Sequence, residues 1–278
     1  MSAITTLNGS GELGNVKWTA LSDCRALIGR HLRHLIRMPE KLVSATLMPM
    51  GFVVLFGLLF GSVISVSGGS YQEFIMAGIF TQVMMTCVPN TAIGTVEDLR
   101  NGLVDRFRSL PMNSAAVLVG RTAGDLALRA VTVLAMTAVG FAIGWRIETG
   151  FFAALGAYAV LLLFGFTMSW IGAVLGLVAR SGEAAATMPS LLLMPLMFLS
   201  SAYIPTGGLP GWLQAIANWN PLSAVVNALR SLWGNPAATD ASVFTVQYAV
   251  PLALGWMALI LLVTVPVAVR RYRRAVAR

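Results

Sequence analysis

Six apolar runs, near residues 42 to 64, 71 to 93, 115 to 144, 151 to 178, 186 to 204 and 247 to 269, constrain this chain more than any other feature. A hydrocarbon core of about 30 Å is crossed by about 20 helical residues, and in lipid the backbone must satisfy its hydrogen bonds internally. The runs therefore predict an all-α integral membrane protein with six transmembrane helices. The third and fourth runs exceed what a crossing needs, so part of each is expected to tilt or lie at the interface. Composition agrees: 57% of residues are hydrophobic and 11% charged, against roughly 25% charged in a soluble domain. One membrane domain, 42–269, is expected between a cytoplasmic N-terminal region, 1–41, and a short basic tail, 270–278.

Lys and Arg resist translocation and so set the orientation. With the N-terminus inside, the cytoplasmic side collects six basic residues from Lys17 to Lys41, then Arg100, Arg106, Arg108, Arg121 and Arg180, then Arg270, Arg271, Arg273, Arg274 and Arg278. The outer side keeps Arg146 and Arg230, and Arg129 falls within a span. An odd number of spans would carry the C-terminal cluster outside, so six are preferred and both ends are placed in the cytoplasm. The net charge of +8 then reads as membrane-side anchoring, and no nucleic-acid partner is expected. The first apolar run begins only near residue 42, without the order of a signal peptide, so the first span is expected to stay in the mature protein. Cys24 and Cys87 are not placed to pair in an oxidising compartment.

Two segments outside the spans have their own pattern. Trp18, Leu21, Cys24, Leu27, Ile28, Leu32 and Leu35 fall on one side of a helix and Arg25, Arg30, Arg33 and Arg37 on the other, as in an interfacial helix on the inner leaflet that ends at Pro39. A solvated cytoplasmic helix is the plainer alternative. From Ile204 to Ser242, Pro205, Gly207, Gly208, Pro210, Gly211, Pro221 and Pro236 break up short apolar stretches. This predicts an outer-face segment of broken helices, anchored at the interface by Trp212, Trp219 and Trp233, with a plain extracellular loop as the alternative.

Catalytic patterns are missing from the sequence. The two lysines, Lys17 and Lys41, lie outside any phosphate-binding loop, so ATP hydrolysis would fall to a partner chain. His31 and His34 lack a third ligand, and no metal site is expected. Neither Gly-x-Ser-x-Gly nor His-Glu-x-x-His occurs. The chain is read as a non-enzyme without a cofactor of its own.

The stretch from Val96 to Arg121 is the most charged internal segment. Glu97, Asp98 and Asp105 alternate with Arg100, Arg106 and Arg108 around Leu99, Leu103, Val104, Phe107 and Leu110, with a bend at Gly102 and a stop at Pro111. A short amphipathic helix with both charge signs suits docking to a soluble partner, because mixed charge sets register. An ordinary solvated loop is the alternative. This stretch resembles the cytoplasmic coupling segment of type-2 ABC exporter permeases, especially the daunorubicin/doxorubicin-resistance permeases of actinobacteria. Glu97 and Asp98, Gly102, Asp105 and Arg106, and Leu110 and Pro111 match that family's pattern in order, and Pro205, Pro210, Trp212, Pro221 and Arg230 match its outer-face segment. The first forty residues match weakly.

The resemblance implies a six-helix permease of the bacterial plasma membrane that pairs with a second permease copy or homologue. It also implies two cytoplasmic ATPase subunits that carry ATP and Mg, docked through Glu97, Asp98, Gly102, Asp105, Arg106, Arg108, Leu110 and Pro111. The cargo would be a hydrophobic or amphipathic compound such as a drug, antibiotic or lipid.

Arg121, Asp125 and Arg129 follow at intervals of four along the third span. They are expected to neutralise one another along one helix face, facing protein or water rather than lipid. Gly57 and Gly61, Gly140 and Gly144, and Gly172 and Gly176 are small pairs that permit close helix approach. Two other functions are compatible with the residues alone. One is a proton- or sodium-coupled transporter with Asp125 as the coupling carboxylate. The other is a non-transporting membrane assembly factor.

Overall fold

Because lipid offers the backbone no hydrogen-bond partners, helices dominate wherever the chain is apolar. The computed structural model describes residues 47–56, 66, 68–100, 114–240 and 242–276. In chain order the helices are α1 (Leu47–Phe56), α2 (Tyr71–Met85), α3 (Cys87–Arg100), α4 (Ser114–Ala142) and α5 (Phe151–Val178). They continue with α6 (Gly182–Phe198), α7 (Gly211–Trp219), α8 (Pro221–Trp233), α9 (Phe244–Gln247) and α10 (Ala249–Val276), and a 3-10 turn, Thr206–Gly208, precedes α7. The interfacial helix expected before residue 42, with Cys24, His31 and His34, lies outside the described residues, as do Gly57 and Gly61.

The start of α2 is set by a reciprocal cap. The Glu73 N–H donates to Ser70 Oγ at 3.2 Å and the Ser70 N–H donates to Glu73 Oε2 at 2.9 Å. Together α2 and α3 make one long apolar crossing, Tyr71–Leu99, bent at Thr86. The bend has a local cause: Pro89 has no N–H for the Met85 carbonyl one turn earlier. The Thr86 hydroxyl donates back to the Val83 carbonyl of the preceding turn at 2.6 Å.

Around this crossing the other elements assemble. Phe74, Ile75, Met76, Ile79, Phe80 and Met84 of α2 are fully buried against Leu161 and Phe164 of α5 and Val226, Leu229 and Trp233 of α8. The long helix α5 lies so close to α3 that only glycine fits at two points. A Cβ on Gly172 would collide with the Val88 carbonyl and one on Gly176 with the Ala92 carbonyl. This small pair therefore works inside the chain, between α3 and α5. Gly144 is no helix-packing residue; it ends the turn after α4 with φ +104°.

Three of the expected crossings are long and apolar enough to span a membrane: Tyr71–Leu99, Phe151–Val178 and Ala249–Tyr272. Leu47–Phe56, Leu128–Ala142 and Gly182–Phe198 are shorter apolar helices. α4 begins at Ser114, yet its apolar stretch starts only at Leu128, because Arg121 and Asp125 interrupt its first half. α6 starts four residues before the expected 186, where Ser181 accepts from the Ala184 N–H at 3.1 Å, and it stops at Phe198 rather than 204. α10 runs on through Val276, so Arg270, Arg271 and Arg274 stand on its last turns rather than in a separate tail. Arg180 and Glu183 are exposed and form no ion pair with each other.

Packing is uneven, as expected of a membrane protein. The α2–α3 crossing is mostly buried, whereas α10 exposes Leu254, Leu259, Leu262 and Val263, and α6 exposes Leu191, Leu192, Met194 and Phe198. These apolar faces suit lipid or a neighbouring membrane subunit.

Replacing Gly172 by Val tests the α3–α5 seam. Overpacking at such a site costs about 1 to 3 kcal/mol, so Gly172→Val is expected to lower the unfolding temperature in detergent, while Gly156→Ala, whose added Cβ meets nothing within 4 Å, is expected to leave it unchanged.

Candidate functional site

Asp125 and Arg129 of α4 face a cavity. It has a volume of about 530 Å³ and is lined by Met48, Pro49 and Phe52 of α1, Gln82, Val83, Thr86 and Asn90 at the α2–α3 bend, and Asp125, Leu128 and Arg129 of α4. Gln82, Thr86 and Asn90 recur every four residues, so they form a polar stripe down one side of the bent helix. Asp125 accepts a hydrogen bond from Thr91 Oγ1 at 2.8 Å. Arg129 is buried and lies beside the Cys87 thiol, which Ser169 also approaches.

The expected neutralisation along α4 does not occur between the two charged side chains that are described. Asp125 turns to Thr91 on α3, and Arg129 turns toward Cys87 at the start of α3. Tertiary partners on α3 outcompete the intrahelical ion pair, which contributes only about 0.2 to 0.5 kcal/mol on an isolated helix. The side chain of Arg121 lies outside the described residues. Sequence reasoning missed Gln82, Thr86, Asn90 and Thr91; the signal that could have found them is polar residues at helical spacing inside an apolar run.

At the other end of α3, Glu97 is exposed and Asp98 half-buried on the last turn of the helix. They extend the crossing rather than opening a separate loop. The remaining expected docking residues, Gly102, Asp105, Arg106, Arg108, Leu110 and Pro111, lie outside the described residues.

Arg230 is not a surface charge at all. It is 1% exposed on α8. Its Nε and Nη2 donate to the Phe74 carbonyl at 3.1 and 3.0 Å, Nη2 also donates to the Ala202 carbonyl at 3.2 Å, and Nη1 donates to Asn227 Oδ1 at 3.3 Å. The guanidinium carbon lies 3.6 Å from the centroid of the Phe74 ring, within cation–π range. Gly78 lets the backbone at Ala202 reach α2 at this point, since a Cβ there would collide with the Ala202 carbonyl. One side chain thus joins α2, the turn after α6 and α8.

The 204–242 segment divides in the same way. Pro205 leads into the 3-10 turn, and Trp212 and Trp219 are exposed on α7, as interfacial anchors would be. Pro221 occupies the first turn of α8, where its missing N–H costs nothing. The Asn220 side chain accepts from the Leu222 N–H at 2.9 Å and donates to the carbonyls of Leu196 and Leu199 at 2.7 and 2.9 Å, tying α8 to the end of α6. Trp233, expected at the interface, is fully buried instead. It packs in tilted and edge-on contact with Phe80, Trp145 and Tyr158 at centroid distances of 5.1 to 5.8 Å. Among the described residues no cluster of His, Cys, Asp and Glu is placed to hold a metal ion.

A mostly buried crossing, interrupted at Thr86 beside a cavity with two charged residues and surrounded by helices with bare apolar faces, defines a polytopic membrane protein. Residues 22–233 match the ABC-2 type transporter family, and the chain belongs to it. It is 38% identical over 217 residues to a daunorubicin resistance ABC transporter permease protein of Streptomyces coeruleorubidus, covering 77% of this chain and 76% of that protein. It is 25% identical over 227 residues to a probable doxorubicin resistance ABC transporter permease protein of Mycobacterium tuberculosis, covering 77% and 80%. Over 222 residues it is 22% identical to an inner membrane transport permease of Escherichia coli, covering 77% and 82%. The chain is a multi-pass membrane permease of an ABC exporter, and permeases of this family work with separate ATPase subunits that bind the nucleotide.

Arg230→Lys keeps the charge but cannot span two carbonyls and an amide. Charged hydrogen bonds contribute about 1.5 to 3 kcal/mol each, so this variant is expected to lose several degrees of thermal stability in detergent, with Asn227→Ala losing less.

Proposed function

We propose that this permease moves a hydrophobic or amphipathic compound, such as a drug, antibiotic or lipid, out of the cell. Two cytoplasmic ATPase subunits would drive it, with a second permease copy or homologue completing the path. The proposed arrangement has six crossings, with both ends and the 97 to 111 docking segment in the cytoplasm. Its support is the charge bias along the sequence and the drug-resistance permeases among the relatives.

The observation that carries the docking role is the position of Glu97 and Asp98. They stand on the last turn of α3, whose other side is wedged against α5 through Gly172 and Gly176. A push at that turn moves a helix with no slack against its neighbour, and packed helices respond by switching between discrete arrangements. The same helix carries Thr91, the partner of Asp125, so displacement at the docking end reaches the cavity. ATP and Mg would stay on the ATPase subunits. Gly102, Asp105, Arg106, Arg108, Leu110 and Pro111 are assigned to the docking segment on the sequence pattern alone.

Co-purification with each ATPase encoded nearby tests the reading directly, with stable association and stimulated ATP hydrolysis as the expected result. Glu97→Lys and Arg106→Glu should each weaken that association while membrane insertion stays intact; unaltered transport in both would refute the docking role. For the topology, a cysteine introduced at Asn101 should resist an impermeant thiol reagent applied outside intact cells and react once the membrane is opened.

A further inference from the structure

The cavity beside the α2–α3 bend has two unlike walls. Met48, Pro49 and Phe52 of α1 supply an apolar surface, while Gln82, Thr86 and Asn90 face the charged pair of α4. Its volume of about 530 Å³ falls in the range of about 300 to 1,000 Å³ typical of small-molecule pockets. A surface of this kind accepts an amphiphile, with the body on α1 and the polar head between the bend and α4.

The charges narrow the head group further. Asp125 and Arg129 are the two charged residues among those that line the cavity, one turn apart on one helix, and they are not paired with each other. Asp125 receives a single described hydrogen bond, from Thr91, which leaves acceptor capacity on its carboxylate. Arg129 is 5% exposed beside the neutral Cys87 thiol, and a buried guanidinium that pairs with no carboxylate among the described residues is costly. A ligand with one positive charge would satisfy Asp125 and be repelled by Arg129; one with a single negative charge would meet the reverse. A head group bearing both charges answers each residue with its opposite.

We propose that this cavity binds a zwitterionic amphiphile, its ammonium at Asp125, its anionic oxygen at Arg129, and its apolar body against α1. Gln82 and Asn90 add neutral donors and acceptors that tolerate variation in the head group. The break in the helix is part of the site: Thr86, whose hydroxyl donates back to the Val83 carbonyl, lines the cavity between Gln82 and Asn90. Such a ligand could be a membrane lipid or an exported compound, since both present the same head-group chemistry. Its role as cargo rests on the exporter reading; its binding does not.

The test is binding to the full chain in a non-ionic maltoside detergent, without any ATPase, measured by native mass spectrometry. The probes share one chain length: N-dodecylglycine carries both charges, dodecylamine only the positive one and dodecanoate only the negative one. N-dodecylglycine is expected to bind about tenfold more tightly than either. Asp125→Asn should abolish that advantage and shift preference toward dodecanoate, and Arg129→Gln should shift it toward dodecylamine. A change in charge preference separates a ligand contact from a general loss of folding, and Leu128→Phe, which fills the cavity without touching a charge, should weaken all three probes. Equal binding of the three by the unaltered chain, or an unchanged preference in both charge variants, would overturn the proposal.

Dihexanoylphosphatidylethanolamine added as a fourth probe distinguishes the sources. Binding of both zwitterions with similar strength supports a site that reads the paired charges in general, and tighter binding of the phospholipid than of N-dodecylglycine, with both above the singly charged probes, supports a lipid occupant. Retained binding with no ATP-driven movement in vesicles containing the ATPase would count against the exporter reading and uphold the site.

Discussion

The contact on which the rest of this structure depends is the approach of α5 to α3, where two glycines lie directly against two backbone carbonyls. In lipid, water gives helices no hydrophobic reason to associate, so close packing of backbones becomes the main source of attraction. Gly172 and Gly176 allow that approach against Val88 and Ala92, and any side chain would force the helices apart. With α3 held there, Thr91 meets Asp125, the bend at Thr86 faces α4, and Glu97 stands clear on the last turn.

The charges inside this bundle are handled in different ways, and the difference separates structure from function. Among the described residues Arg230 pairs with no carboxylate, yet its donors meet two carbonyls and an amide while Phe74 covers its face. A guanidinium so enclosed works as a structural clasp, because it makes four directional hydrogen bonds within the protein itself. Asp125 and Arg129 are different: they turn away from each other and line an open space. Polar groups left with spare capacity at a cavity are where a ligand finds its partners.

Much of the fold was legible in the apolar runs. The crossing at 151 to 178 coincides with α5 residue for residue, and those near 71 and 247 begin within two residues of their helices. The misreadings came from places where contacts across the fold overrode local pattern. Arg230 and Trp233 look like outer-face residues, since charge and indole favour an interface, but α8 is packed into the core, where Arg230 bonds to α2, the turn after α6 and Asn227 on α8, and Trp233 packs against the rings of Phe80, Trp145 and Tyr158. Between Asp125 and Arg129, the pairing expected along α4 gives way to Thr91 and Cys87 on α3.

What the sequence determined by itself is the class of molecule: an apolar chain with basic flanks has to bond its backbone internally and anchor in a membrane, and the ordered motif from Glu97 to Pro111 marks its family. What only the tertiary structure decided is which polar groups find each other. Spacing along one helix says which residues share a face, whereas satisfaction of a buried charge depends on what the neighbouring helices bring within about 3 Å, and that distance is set by the glycines that let the helices meet.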